Sequence, residues 1–201
     1  MRKLAFFTTV FAFFLLASFA SAQQADVAVG GSTLLSTAST NDSLSVFQIP
    51  EKGGFYPNVG FDVIFHHRIG VGYTVSWKGG QGAYGGPGGQ PFRPILQNVD
   101  AVFQPRLSKK IGADLAAGIG WQSTRFYGFT DTSNCVNFGA CYTSANHFLV
   151  HVGGGVRYYV WNHVFVRPEL NFYKINNNAE FSSGNLLRVG ASIGYTIGGP
   201  E

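Results

Sequence analysis

A chain of 201 residues that is 45% apolar and only 12% charged is long enough for one domain and too apolar to remain disordered. Its formal charge of +4 rests on 14 basic and 10 acidic residues, and two of the basic residues, Arg2 and Lys3, fall in a leader. Without them twelve cations face ten anions, an excess too small to argue for a nucleic-acid partner.

The leader comes first in the chain. In MRKLAFFTTVFAFFLLASFASA a basic pair precedes an apolar run from Leu4 to Ala20, and Ala20-Ser21-Ala22 supplies small residues for cleavage. This is the pattern of a secretory signal peptide over residues 1–22, leaving a mature domain of 23–201. The alternative, a retained membrane anchor, is opposed by the shortness of the run and by Thr8 and Thr9 within it. No later stretch is long and apolar enough to cross a membrane as a helix, so membrane entry requires strands.

After the leader, apolar and polar residues alternate with a period of two, the signature of a strand with two unlike faces. Asp26 to Leu35 is the weakest case, setting Val27 and Val29 against Asp26 and Ala28. A polar stretch follows and reads as a long loop. Pro57 to Phe65 and Ile69 to Trp77 then form a hairpin around His66-His67-Arg68, with Val59, Phe61, Val63, Val71, Tyr73 and Val75 on one face. Lys78 to Pro94, rich in Gly, Gln and Pro, reads as a loop. Within it Gly80-Gln81-Gly82-Ala83-Tyr84-Gly85 matches a dinucleotide-binding spacing, but Gly86-Pro87-Gly88-Gly89 cannot open the helix that such a site needs.

Ile95 to Leu107 and Ile111 to Trp121 make a second hairpin around Ser108-Lys109-Lys110. A third long loop, about Tyr127 to Ala145, contains Cys135 and Cys141. In an exported chain these are expected to close a small disulfide loop, the alternative being two free thiols. The stretch from Asn146 to Ile175 is the clearest hairpin, turning at Trp161-Asn162-His163. A fourth loop near Asn176 to Asn185 leads into the last strand, Leu186 to Ile197.

Eight strands result, and their connections alternate long and short, starting and ending with long. That rhythm predicts an all-β, antiparallel, up-and-down transmembrane barrel of eight strands, with long loops at one end and short turns at the other. One face of the strands carries Asp62, Asp100, Arg106, Asp114, Arg157, Arg167, Glu169 and Arg188 with many glycines, and the other is almost free of charge. Eight strands enclose a narrow interior, so the small and charged residues are expected to fill the lumen as a polar network, with Arg167, Glu169 and Arg188 paired. Trp77, Trp121, Phe148 and Phe172 near the loop ends, and Phe65, Phe103, Tyr158, Trp161 and Tyr195 near the turn ends, suit two interfacial belts. Pro168 lacks a ladder donor and predicts a bulge or break.

The histidines raise the question of catalysis. His66, His67 and His163 sit at the turns, whereas His147 and His151 share the inward parity, and no His-x-Ser pairing follows His147. No catalytic residue, metal site or cofactor is expected.

FRPILQNVDAVFQPRLSKKIGADLAAGIGWQSTRFYGF and NHFLVHVGGGVRYYVWNHVFVRPELNFYKINNN resemble the small eight-stranded outer-membrane barrels of the OmpA and OmpX type, and among them uncharacterised barrels of Acidobacteria-like bacteria. The resemblance spans nearly all of Asp26 to Ile197 and implies residence in the bacterial outer membrane. The implied partners are its lipid and lipopolysaccharide and the barrel-assembly machinery. It carries no assigned activity. Such barrels usually end on an aromatic residue, whereas this chain ends Tyr195-Thr196-Ile197-Gly198-Gly199-Pro200-Glu201, so Tyr195 is the candidate substitute. Four roles follow as expectations, in falling order: a non-enzymatic envelope or surface-contact protein, a narrow channel, a soluble ligand-binding barrel with its apolar face inward, and a lipid A-modifying enzyme.

Overall fold

The computed structural model describes residues 24–36, 50–65, 68–84, 89–128 and 142–198. The alternating stretches form strands β1 (Gln24–Ser36), β2 (Tyr56–Ile64), β3 (Ile69–Trp77), β5 (Gln90–Phe103), β6 (Ile111–Tyr127), β7 (Tyr142–Tyr159), β8 (Val164–Ile175) and β9 (Asn185–Ile197), with a three-residue β4 (Gly82–Tyr84) between β3 and β5. Neighbours pair antiparallel in the order β3-β2-β1-β9-β8-β7-β6-β5, and β3 pairs with β5 to close the sheet into an eight-stranded barrel.

The residue-to-residue register can be followed around the ring. From Asp26 it runs through Asp62, Gly72, Asp100, Gly118, His151, Tyr173 and Leu186, and returns to β1 at Ser36, ten residues (36 − 26) beyond its start. Strand number and stagger together set the tilt and the bore, and eight strands leave room for side chains alone.

Two boundaries depart from the sequence reading. The segment from Lys78 to Pro94 is more than a loop: β4 pairs with Gln90–Phe92 at the upper end of β5. Strands β6 and β7 also continue past Trp121 and Phe148, staying paired up to Tyr127 and Tyr142. Gln122-Ser123-Thr124-Arg125 is polar on both faces, so alternation carried no signal there.

The solvent logic of a water-soluble protein is inverted. Val29, Leu115, Ile119, Val152, Leu170 and Ile193 are more than half exposed on the outer surface, while Asp26, Asp100, Asp114, Arg157 and Arg188 are buried inside. A continuous apolar exterior around a charged interior is the arrangement of a transmembrane barrel. Trp121, Phe148 and Phe172 are exposed at the loop end of this band, and Phe103, Tyr158, Trp161 and Tyr195 at the turn end.

Pro168 breaks one ladder without shifting it. Between β7 and β8 the pairs Gly155↔Glu169 and Tyr158↔Val166 keep the same register, but the pairing lapses at Val156 and Arg157 opposite Arg167 and Pro168. On the other side Pro168 stays paired with Ala191 of β9. The missing donor therefore costs one seam of the barrel and not two.

Val152 lies near the middle of the outer band, four residues from Phe148 and six from Tyr158. Val152→Arg is expected to destabilise the barrel by roughly 2–4 kcal/mol in urea unfolding from phospholipid vesicles, against about 0–1 kcal/mol for the same residue placed at Tyr158.

Candidate functional site

The lumen is divided into two halves. Towards the turn end it holds a charge cluster built on Arg157 of β7, which is 1% exposed. Its Nε donates to Asp114 Oδ2 of β6 at 2.6 Å, Nη1 to Asp26 Oδ2 of β1 at 2.5 Å, and Nη2 to Asp62 Oδ2 of β2 at 3.3 Å. One guanidinium fork thus ties β7 to its neighbour β6 and, across the bore, to β1 and β2, a geometry suited to its fixed planar donors. Arg167 of β8 adds Nη1 contacts to Asp114 at 3.0 Å and Asp62 at 3.4 Å, and its Nε donates to Ser192 Oγ at 3.2 Å.

Glu169 lies between two cations, 3.4 Å from Arg167 Nε and 3.1 Å from Arg188 Nη2. The ring of Phe165, fully buried, sits beneath the guanidinium of Arg157 at 4.4 Å. Glycine makes room for that ring, because a Cβ on Gly194 would lie 2.2 Å from Phe165 Cζ. Similarly, a Cβ on Gly72 would lie 2.5 Å from Asp62 Oδ1. The glycines of the inward face are therefore the space that the large charged side chains occupy.

Higher in the lumen His151 is held on both sides of its ring. Nδ1 lies 2.7 Å from Asp100 Oδ1 and Nε2 lies 3.0 Å from Asn171 Oδ1, while Tyr173 stacks on the ring at 4.7 Å. Asn98 donates to the other oxygen of Asp100. With both nitrogens engaged, His151 works as a bridge between β5, β7 and β8. A cavity of about 40 Å³ remains between this layer and the Arg167–Glu169 layer. That is room for a little water among polar walls and too little for a solute.

Towards the loop end the interior turns apolar. Leu34, Tyr56, Leu96, Leu149, Tyr173, Ile175 and Leu186 form one buried cluster across the bore. Above it residues 50–55 fold back over the mouth, with Gly53 N–H donating to Leu34 O at 2.7 Å and Gly79 N–H to Phe55 O at 2.8 Å. Glu51 is buried there, accepting from Gln122 Nε2 at 2.5 Å. Burial pushes its carboxyl up to about 7, against the smaller opposing effects of Gln122 and Lys78. Lys78, half-buried beside it, is held below the ordinary lysine range by desolvation, partly offset by Glu51. Further out, Tyr84, Phe92, Phe126 and Phe181 pack ring against ring at 5.3–6.3 Å, and His147 pairs with Glu180 at 2.7 Å.

Of the residues singled out in the sequence, Asp62, Asp100, Asp114, Arg157, Arg167, Glu169 and Arg188 face the lumen. Arg106 does not join them. Strand β5 ends at Phe103, Pro105 follows, and Arg106 turns to the rim, where Nη2 donates to the carbonyl of Lys109 at 3.3 Å. Cys135, Cys141, His66, His67 and the leader lie outside the described residues. Two participants escaped the sequence reading. Asp26 was on the inward parity of the weakest strand, and its value as a partner of Arg157 depends on the β1–β9 closure. Glu51 stood in a polar loop with no periodicity to mark it.

No protein-family model matches this sequence, and no curated protein matches it either. Solved structures do resemble it in fold. The attachment invasion locus protein Ail of Yersinia pestis, in complex with the heparin analogue sucrose octasulfate, superposes with a TM-score of 0.54 at 12% identity over 87% of this chain and 98% of its own. Neisserial surface protein A matches with a TM-score of 0.52 at 15% identity, covering 87% and 95% of the two chains. The outer-membrane protein OprG of Pseudomonas aeruginosa matches with 0.53 at 11% identity, covering 89% and 97%. At such identities the likeness is one of fold: these are small outer-membrane barrels, and this chain shares their architecture.

Removing Arg157 takes a cation from three buried carboxylates and leaves Asp26 without one, while Asp62 and Asp114 keep Arg167. Arg157→Met is expected to cost roughly 3–5 kcal/mol in vesicle unfolding, and adding Asp26→Asn and Asp114→Asn to it should recover part of the loss. For the mouth segment the sign follows from the raised Glu51 carboxyl: its neutral form favours docking, so protection is full below pH 4.5 and is lost as pH rises to about 7. Hydrogen-exchange protection factors at the Gly53 and Gly79 amides should show this decline, and Glu51→Gln should abolish it.

Proposed function

We propose that this chain is an exported, non-enzymatic protein of the bacterial outer membrane, acting in envelope integrity or surface contact through its long loops. The observation that carries the reading is the inverted barrel: a lipid-facing apolar exterior around a bore filled by paired charges below and an apolar cluster above. A soluble ligand-binding barrel would need the opposite faces. A channel would need a continuous wet path, whereas the charged half leaves a cavity of about 40 Å³ and the apolar half is packed.

The loop end offers what a surface role requires. Arg93 and Arg125 stand directly opposite each other across β5 and β6 on the outward parity, and Arg125 lies over the ring of Tyr142 at 4.7 Å. Like charges facing each other in a ladder repel unless an anion lies between them, and the phosphates of lipopolysaccharide are anions at that level. A fold neighbour, Ail, was solved with a sulfated heparin analogue, which is in keeping with polyanion contact at such a surface. In this reading residues 1–22 are cleaved on export, and Cys135 and Cys141 close a disulfide in the β6–β7 loop.

Fractionation tests the proposal. The protein is expected in the outer-membrane fraction, with heat-modifiable migration on gels, and recovery as a soluble periplasmic protein would end it. In planar bilayers the purified barrel should give no steady current; sustained conductance would favour the channel.

A further inference from the structure

At the turn end the β5–β6 and β7–β8 connections leave a cleft of about 770 Å³ between them. Arg106, Lys109, Lys110 and His163 line it together with the aromatic rings of Trp161 and Tyr195, and no acidic side chain does so among the described residues. The basicity is general at this end. The three short connections, 65–68, 104–110 and 160–163, contain Arg68, Arg106, Lys109 and Lys110 and no Asp or Glu.

These cations are not neutralising the lumen. Asp26, Asp62, Asp114 and Glu169 are matched by Arg157, Arg167 and Arg188, Asp100 pairs with His151, and Arg106 bonds a backbone carbonyl of its own turn. Trp161 is 71% exposed and Tyr195 is 51% exposed, and both stand with Tyr158 and Phe103 in the aromatic belt. A belt of this kind marks the depth at which lipid headgroups begin. The cleft therefore sets three basic side chains beside amphipathic rings at headgroup level.

We propose that this cleft binds the phosphate-bearing headgroup of an anionic phospholipid in the leaflet facing the short turns. The inference rests on the outer-membrane reading above, which puts that leaflet on the periplasmic side. Arg106 and the two lysines supply the charge that a phosphodiester lacks, and Trp161 and Tyr195 lie against its glycerol and upper acyl carbons.

Native mass spectrometry of the folded barrel, released from micelles doped with equal amounts of phosphatidylglycerol and phosphatidylcholine, tests it. Phosphatidylglycerol should be retained preferentially. The variant Arg106→Ala/Lys109→Ala/Lys110→Ala should lose at least about ten-fold of that preference, on a scale of roughly five-fold per basic side chain. The charge-preserving Lys109→Arg/Lys110→Arg should keep it, as should Lys174→Ala at the loop end. Added inorganic phosphate should leave the lipid bound; displacement by it would mark a general anion site and overturn the proposal. So would a wild-type barrel without preference, or an alanine variant that keeps it. Heat-modifiable migration of each sample separates the two readings: a barrel that migrates so yet shows no lipid preference refutes the cleft alone, whereas failure to form a heat-modifiable barrel refutes the reading beneath it.

Discussion

The guanidinium of Arg157 is the constraint on which the interior depends. It reaches Asp26 and Asp62 across the bore and Asp114 on the neighbouring strand, so β7 is joined to β1 and β2 by contacts that do not follow the sheet and to β6 by one that does. A buried ion costs several kcal/mol to desolvate, and only a fully matched geometry offsets it. Everything near it serves that match: Phe165 fills the space below, Arg167 shares two of the carboxylates, and Gly72 and Gly194 withdraw so that Asp62 and Phe165 can occupy the centre. Ion pairing of this density adds to specificity as well as stability, because a one-residue slip between strands would turn each charge towards lipid.

How much of this was legible in the sequence depended on which force wrote the signal. Alternation marks the lipid face of Val150, Val152 and Val156 and the inner face of His151 and Arg157, because lipid tolerates no charge on one side and the narrow bore admits little bulk on the other. Loop rhythm then fixes topology. What alternation cannot show is how the inner face is subdivided, since Leu34, Leu96, Leu149 and Leu186 share the parity of the charges and yet gather into an apolar cluster. It also could not show that Asp26 lies within reach of Arg157, 131 residues away, or that Glu51 folds back into the mouth. Arg106 shows the converse error: inward parity means nothing once the strand has ended, and Pro105 comes after its end.

The two ends of the molecule solve different problems. At the loop end, aromatic packing among Tyr84, Phe92, Phe126 and Phe181 and the segment carrying Glu51 close the mouth with side chains. At the turn end, short connections leave Trp161 and the lysines outside. The first arrangement isolates the lumen, and the second faces the surroundings.

The pairing of β1 with β9 has a consequence for time. These are the first and last strands of the barrel, joined over a register from Ala25↔Ile197 to Ser36↔Leu186. Until the C-terminal strand has been delivered, β1 has no second neighbour, and the ring that holds Asp26 against Arg157 is open. Asp26 and Asp62, which are matched across that seam in the finished barrel, are then bare charges in a sheet seeking to enter lipid. Neutralisation of these two carboxylates and ring closure are thus a single late event, and a chain truncated before β9 lacks the means to complete either.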